Sequence, residues 1–479
     1  MKTKTFAIII VLSLTSCYSV KSLRKPNLDM PETYIPAMET DSACVADIDW
    51  WKFYTDSTLC SLIKSALENN RDLLNAAAKV EEVRNMYGIH RLNYLPEVSG
   101  VVGASHETNR YNGIATTKDP EYDLKMTVGW EVNLFGAMSW AQKSSLARYE
   151  ATMDDYHAMR MTLVAETASA YFRLMALKNE LSIVRQTLET REESLNQARI
   201  RFEGGLTSET VYQQAKVEYA STAALVPNLE KQVKVANNAI TLLIGEFPND
   251  SICPNQPTWS DHIQENVPVG ISSTLLERRP DISAAEHRLA AAMADVGLSY
   301  ANQFPNIRLS FTPGWENESL SHFFSSPFTY VAGNIAGTIF DFGRKKRKYK
   351  ASIAVYEQAR NDYEKAVINA FTEVNTAIET LRKVKESRQL KAELCEASMK
   401  YVNLAQLQYR AGSLNYIDVL DAQRRYFDAQ IAVSNALRDE YLALANLYKV
   451  LGGGWSMSSE NNNGNENMKK QTSGDSAVR

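Results

Sequence analysis

The chain has 479 residues, 44% of them hydrophobic and 23% charged, with a formal net charge of −4. Such a composition excludes wholesale disorder, and so small a charge excludes a nucleic-acid binder that works through a global basic field. Beyond the N-terminus no uninterrupted apolar stretch of about 18 residues occurs, so a membrane span in the mature chain must be built from strands rather than a helix.

In chain order, residues 1–16 read as a lipoprotein signal peptide. Lys2 and Lys4 precede the apolar run Phe6 to Leu14, and the segment ends Leu14-Thr15-Ser16-Cys17. Those last four residues resemble the bacterial lipobox, whose cysteine is acylated, palmitate included, and becomes residue one; an ordinary signal peptide with a chance cysteine is the bland alternative. Tyr18 stands where inner-membrane retention usually needs Asp, which implies outer-membrane sorting. Each buried acyl CH₂ contributes about 0.8 kcal/mol, so a multiply acylated Cys17 would anchor the segment 17–49. Cys44, Cys60, Cys253 and Cys395 have no CxxC spacing and no histidine cluster, so zinc is not indicated and their pairing stays open.

The rest of the chain is a duplication. A shift of 209 carries Asp72 onto Asp281, Gly88 onto Gly297 and Leu95-Pro96 onto Phe304-Pro305. A shift of 207 carries Phe135-Gly136 onto Phe342-Gly343, Glu166 onto Glu373, Gly205 onto Gly412 and Ile244-Gly245 onto Leu451-Gly452. The repeats are 50–245 and 271–452, joined by the proline-rich linker 246–270 and followed by a tail, 456–479, whose Asn, Ser and Gly content predicts disorder.

Each repeat predicts helix, two strands, a very long helix, a tight turn and a helix. Residues 137–203 and 344–411 contain neither Gly nor Pro, which predicts unbroken helices. At about 1.5 Å per residue each is a rod of about 100 Å. Leu174, Leu177, Leu181, Val184, Leu188, Leu195, Ala198 and Phe202 keep a coiled-coil spacing that Arg191 interrupts. In the second rod Leu381 and Val384 fit the seam, whereas Arg388 and Lys391 do not.

The strands point to a membrane. Leu124, Met126, Val128, Trp130, Val132 and Leu134 alternate with Lys125, Thr127, Gly129, Glu131 and Asn133. Val98 to Ser105, Ile307 to Phe311 and Thr329 to Asp341 supply partners, and a soluble half-buried sheet would alternate in the same way. Four strands cannot close, and free edges in hydrocarbon leave backbone groups unpaired at several kcal/mol each. If the strands span, copies of the chain share the barrel.

Three runs carry a family resemblance. Asp47-Ile48-Asp49-Trp50-Trp51 with Leu59, Leu62-Ile63, Ala66-Leu67, Asn70 and Asp72-Leu73 is the first; Leu276 to Ile282 with Ala285-Glu286, Leu289, Gly297 and Phe304-Pro305 is the second. Tyr409-Arg410-Ala411-Gly412 with Asp418-Val419-Leu420-Asp421-Ala422 is the third. Together they resemble TolC-like outer-membrane efflux lipoproteins, the outer membrane factors of tripartite RND-type pumps. The resemblance implies a mainly α fold with a membrane β-barrel. A long coiled-coil tunnel would join four strands per chain, shared in a homotrimeric twelve-stranded barrel. It implies a periplasmic adaptor (membrane fusion) protein and an inner-membrane RND-type pump as partners, outer-membrane lipid around the barrel, no cofactor and no nucleic acid.

Asp418 and Asp421 share one helix face after the Gly412 turn. Repeated around a symmetric axis they form carboxylate rings, and the resemblance makes them a periplasmic gate, with Tyr409 a remnant of its bonding; a solvated pair near a helix N-terminus is the alternative. Leu414 and Val211 stand where relatives can place Arg and Asp. Gly205 and Gly412 predict left-handed caps, and their turns are candidate adaptor contacts or simple reversals. Arg344 to Lys348 opposes a helix dipole and needs an offset, from anionic lipid or from solvent. Trp130 and Trp140 fit an interfacial aromatic belt. Met153, His157 and Met161 form a helical stripe that suits either soft metal or, more commonly, packing. No nucleophile elbow, P-loop, HExxH or Rossmann fingerprint occurs, so catalysis is not expected. The reading is an efflux duct for drugs or metal ions; a protein-secretion duct or a poreless lipid-anchored scaffold are the alternatives.

Overall fold

The computed structural model describes residues 48–109, 117–249, 278–338 and 340–454. The signal peptide with Cys17, Cys44, Cys253, most of the linker and the tail lie outside the described residues. In order come α1 (Trp50–Phe53), α2 (Ser57–Asn69), α3 (Arg71–Leu92), β1 (Glu97–Asn109), β2 (Thr117–Val132), α4 (Ala137–Glu203) and α5 (Glu209–Leu243). The second repeat gives α6 (Pro280–Ala301), β3 (Asn306–Asn317), a 3-10 turn (Leu320–Ser325), β4 (Pro327–Ala336), α7 (Arg344–Arg410) and α8 (Tyr416–Val450). The shift of 209 carries α3 onto α6 end for end, and the shift of 207 carries α4 onto α7 and α5 onto α8. Both long rods are unbroken, as the absence of Gly and Pro predicts.

The described residues form two compact units. The first comprises Lys79–Met153 and Ala284–Ala366 and holds one antiparallel sheet in the order β1-β2-β3-β4. The two hairpins share one register under the repeat shifts: Val98↔Val128 matches Ile307↔Ile335, and Val102↔Leu124 matches Phe311↔Val331. Directly paired residues lie on the same face, so register sorts the whole sheet. One face carries Val98, Val102, Leu124, Val128, Trp130, Leu309, Phe311, Trp315, Val331 and Ile335. The other carries Lys125, with Nζ 3.5 Å from Asp123 and 3.3 Å from Glu316. Thr127 and Thr312 share a hydrogen bond of 3.1 Å on that polar face. Val102 is 82% exposed, Val331 76% and Ile335 74%, so the apolar face is the uncovered one. A water-soluble sheet buries that face; one that meets lipid leaves it bare.

Two strand limits differ from the sequence reading. Strand β2 ends at Val132, and Leu134 N–H already turns back to Val132 O at 2.9 Å. Strand β4 ends at Ala336, five residues before Asp341, whose carboxylate accepts Gly343 N–H at 2.9 Å and Lys345 N–H at 2.8 Å. Those bonds to the backbone hold the Asp341 carboxyl below its ordinary pKa. Asp341 is therefore the offset for the basic start of α7, supplied from within the chain.

Helices α4 and α6 meet across this unit. Phe135 stacks on Phe304 with ring centroids 4.8 Å apart. A Cβ on Gly297 would lie 2.4 Å from the Trp140 ring, so α6 is pressed against that indole. Trp140 thus packs on α6 within this unit. One turn on, Ser144 donates to Asp295 Oδ1 at 2.6 Å, and a further turn on Arg148 Nη2 meets Asp295 Oδ2 at 2.6 Å.

The second unit comprises 48–78, 154–249, 278–283 and 367–454. Its core gathers Phe53, Tyr54, Leu59 and Ile63 against Tyr171, Phe172, Leu174, Ile378 and Tyr448. Phe53 stacks on Tyr448 at 4.3 Å, and the Tyr448 hydroxyl donates to Ile48 O at 2.7 Å. Asp56 caps α2 through Thr58 N and Leu59 N, and its other oxygen accepts the Tyr171 hydroxyl at 2.5 Å. The seam residues Leu174, Leu181, Val184 and Ala198 are buried, and so is Met161; burial also pushes the His157 imidazole down in pKa. Where the first repeat packs Leu181 near Val233, the second sets Arg388 Nε 2.6 Å from Glu440 Oε2, which explains why Arg388 breaks the apolar pattern.

The two repeats also begin alike. Asn70 Nδ2 donates to Leu243 O at 3.0 Å, and its counterpart Arg279 donates to Val450 O at 3.2 Å while also binding Asp281 and Glu373. Each motif latches the start of its repeat to the end of the same repeat. At the first latch Gly245 has φ +72°, and a Cβ there would lie 2.4 Å from Asn69 O. Gly205 has φ +69° with open space around it. Gly205→Ala is expected to cost about 1–2 kcal/mol for the left-handed backbone alone. Gly245→Ala carries that cost and a backbone collision, so its thermal midpoint should fall further; equal midpoints for the two variants would contradict the contact.

Candidate functional site

The candidate site is the pair of turns that ends α4 and α7, with the first turns of α5 and α8, all within the second unit. Both turns close in the same way. Gly205 N–H reaches Phe202 O at 2.9 Å and Leu206 N–H reaches Arg201 O at 2.8 Å. Gly412 N–H reaches Tyr409 O at 3.0 Å and Ser413 N–H reaches Gln408 O at 2.9 Å. This is the Schellman arrangement, which needs a left-handed residue, and glycine takes that backbone without a Cβ clash. Leu414 packs with Tyr409 and Tyr426 against Val402, Ala405, Val419 and Ala422.

Asp418 and Asp421 lie on one face of α8, along an open groove of about 910 Å3. Glu209, Gln213 and Glu218 of α5 line the same groove, with Arg424 at its end. Four carboxylates and one guanidinium thus line it, and two of the acids are paired, Glu218 with Arg191 and Arg424 and Asp421 with Arg425. Asp421 accepts Arg425 Nε at 2.8 Å, a solvent-exposed pair worth little in stability. Among the described residues Asp418 makes no ion pair. The arrangement favours a cation over an anion in the groove.

Tyr409 is half-buried. Its hydroxyl accepts from Arg201 Nη1 at 3.1 Å, and the same guanidinium sits 5.6 Å from its ring. Tyr409 also meets Tyr416 at 5.5 Å, and burial pushes the Tyr416 hydroxyl up in pKa. The bond from Arg201 ties α4 to α7 beside the turns.

The largest element that sequence reasoning missed is a charge network behind the groove. Arg191, which interrupts the apolar seam, is buried; its Nη1 meets Glu218 Oε2 at 2.6 Å and Glu218 O at 2.9 Å. Arg424 Nη2 meets the other Glu218 oxygen at 2.5 Å. One carboxylate therefore holds α4, α5 and α8 together. Burial draws the Arg191 guanidinium below its ordinary pKa, against the pull of Glu218. The available signal was Arg191 itself, because a cation at a seam position requires an anion from the facing helix.

The repeated helix-strand-strand-helix order, the sheet with its apolar face outward and these turns match one family model, described as outer membrane efflux protein, over residues 62–246 and 271–453. The chain belongs to the outer membrane efflux protein family. It is 30% identical over 460 residues to the outer membrane protein OprJ of Pseudomonas aeruginosa, covering 94% of this chain and 95% of OprJ. It is 28% identical to the cation efflux system protein CusC of Escherichia coli O157:H7, covering 94% of this chain and 99% of CusC. The open state of the MtrE outer membrane channel of Neisseria gonorrhoeae superposes with a TM-score of 0.81 at 29% identity, covering 92% of this chain and 99% of that one. The efflux protein is thus an outer-membrane channel with a helical tunnel and four strands per chain.

Removing Glu218 tests the network. Glu218→Ala leaves Arg191 buried without its anion and should cost about 3–5 kcal/mol, whereas Arg424→Ala, an exposed partner, should cost at most about 1 kcal/mol. Urea unfolding of the purified oligomer reads both, and similar losses for the two variants would show that burial does not decide the matter.

Proposed function

We propose that the protein works as a homotrimer, the outer-membrane duct of a tripartite pump. It takes small molecules from a periplasmic adaptor and an inner-membrane RND-type pump, with Cys17 carrying an acyl anchor that palmitate labelling reads. The observation behind this reading is the sheet: one apolar face on all four strands, a polar face with ion pairs, and two open edges. Only a barrel shared between copies satisfies such strands in a bilayer. CusC is named for cation efflux, and the acidic groove here suits cationic cargo.

Asp418 and Asp421, with Tyr409 and its bond from Arg201, act as the periplasmic gate. The carboxylates line a groove beside helix turns that a symmetric assembly would bring around one axis. Neither acid carries a buried structural role that would explain it otherwise. Asp418→Ala combined with Asp421→Ala is expected to raise single-channel conductance in planar bilayers severalfold and to weaken cation selectivity. Unchanged conductance and selectivity would remove both residues from the gate.

The turns at Gly205 and Gly412 serve as adaptor-docking points. Leu206 is 75% exposed at the first turn, an apolar side chain held out by the Schellman bonds. Leu206→Glu should reduce adaptor recovered in a pull-down while leaving conductance in place; full recovery would return the turns to simple chain reversal.

A further inference from the structure

Between Glu318 and Glu357 the chain carries six bases, Arg344, Lys345, Lys346, Arg347, Lys348 and Lys350, and one acid, Asp341. This positive run stands in a chain whose net charge is −4, and it opens α7 after the link 337–343 from β4. The fold does not require it. The shift of 207 lays Ala137 to Ala141 on Arg344 to Lys348, and the same helix start is built there without a base. Nor is the run neutralised by what surrounds it. Lys345 Nζ donates to Gln303 O at 3.3 Å and Tyr349 meets Tyr300 at 5.7 Å, so the stripe of α7 that carries Lys345 and Tyr349 lies on the end of α6. No acid occurs from Val296 to Trp315. Asp341 is committed to the backbone N–H groups of Gly343 and Lys345. Successive helix residues turn by about 100°, so Lys346, Arg347 and Lys348 point away from α6. All three are exposed, and among the described residues none of them makes an ion pair. Like charges three and four apart on a helix repel, and positive charge in a first turn opposes the helix dipole. An anion from outside the chain relieves both.

We infer that Lys346, Arg347 and Lys348 bind the phosphates of anionic phospholipid in the leaflet of the outer membrane that faces the periplasm. The position of the run identifies the lipid. Strand β4 carries Val331 and Ile335 on the bare apolar face and ends at Ala336. Helix α7 leaves that same end as one of the rods of the periplasmic tunnel. The link 337–343 therefore passes from hydrocarbon to water on the periplasmic side, where the anions at hand are phospholipid headgroups. The phosphates of lipopolysaccharide lie in the opposite leaflet, a strand's length away. Each Lys or Arg beside an anionic bilayer surface favours the bound lipid by about fivefold, so three bases on one turn select phosphatidylglycerol over a zwitterionic lipid. Because the first repeat has no such run, each chain holds one such patch. This inference rests on the shared-barrel reading and names the lipid that meets the barrel's inner rim.

The test uses full-length protein reconstituted in phosphatidylcholine vesicles with tracer spin-labelled phosphatidylglycerol or spin-labelled phosphatidylcholine. The motionally restricted part of the spectrum measures the lipid held at the protein. Phosphatidylglycerol should be held about threefold to fivefold better, and the preference should vanish at about 1 M salt, where the screening length is about 3 Å. Lys346→Gln combined with Arg347→Gln and Lys348→Gln should abolish the preference and conduct like the unsubstituted protein in planar bilayers. Lys383→Gln with Lys391→Gln and Lys400→Gln, the same charge change farther along α7, should keep it. Equal restriction of the two lipids by the unsubstituted protein overturns the inference, and so does a preference that survives the first triple variant. Spin-labelled lipid A held better than phosphatidylglycerol, and released by that variant, overturns the assignment to the periplasmic leaflet. A variant with its lipid preference intact but altered ion selectivity places the run in the lumen, and one with intact preference that sediments as a monomer places it between copies; both overturn the inference. Unsubstituted protein that conducts without lipid preference sinks this inference alone, whereas protein that neither oligomerises nor conducts sinks the shared-barrel reading.

Discussion

A sheet of four strands with one oily face and two unpaired edges has no stable existence in isolation, and the rest of this molecule is arranged around that fact. In water the exposed face of Val102, Val128, Phe311, Val331 and Ile335 would drive aggregation. In hydrocarbon the face is satisfied but the edge N–H and C=O groups are not. Both conditions are met together only when the sheet closes on further copies. The polar face, with Lys125 between Asp123 and Glu316, then becomes a lumen wall in contact with water. Oligomerisation is thus a requirement of the strands themselves.

In the second unit the two long helices form ion pairs with their neighbours at specific places. Arg191 and Glu218 are buried together in the first repeat, and Arg388 reaches Glu440 in the second. Neither pair has a counterpart at the equivalent position of the other repeat: Leu181 and Val233 stand for Arg388 and Glu440, while Ser398 and Arg425 stand for Arg191 and Glu218. A buried ion pair adds little net stability over a good apolar contact, but it is intolerant of a mismatched partner. Charges placed out of step between repeats therefore discourage one helix pair from packing in the place of the other.

Much of this was legible in the sequence because the determinants are periodic. Two runs free of Gly and Pro fix α4 and α7 to within a residue, and the alternation from Leu124 to Val132 finds β2. The repeat shifts locate the helices and strands of the second half, though not its 3-10 turn, from their first-half counterparts, and Gly205 and Gly412 mark the turns. What escaped was local and non-periodic. Asp341 reads as the end of a strand until its carboxylate is seen holding the backbone of α7, and the contact of Trp140 with Gly297 follows no period along the chain. At the candidate site, Asp418, Asp421 and Tyr409 were visible as residues, but Glu218 was not. Its role depends on two arginines from other helices, one of them more than two hundred positions away, and no spacing rule along a single helix connects them.

The end-for-end agreement of α3 with α6, α4 with α7 and α5 with α8 speaks to ancestry. A chain of half this length, with one hairpin and one long rod, contains every kind of contact the ring needs, and twice as many such subunits would build the same cylinder. Fusing two of them halves the number of molecules that must find one another at the membrane. It also frees the two repeats to diverge, so that the permanently leashed joint between them carries the Arg148 and Asp295 charges where the equivalent positions of the free edges hold Val355 and Met86.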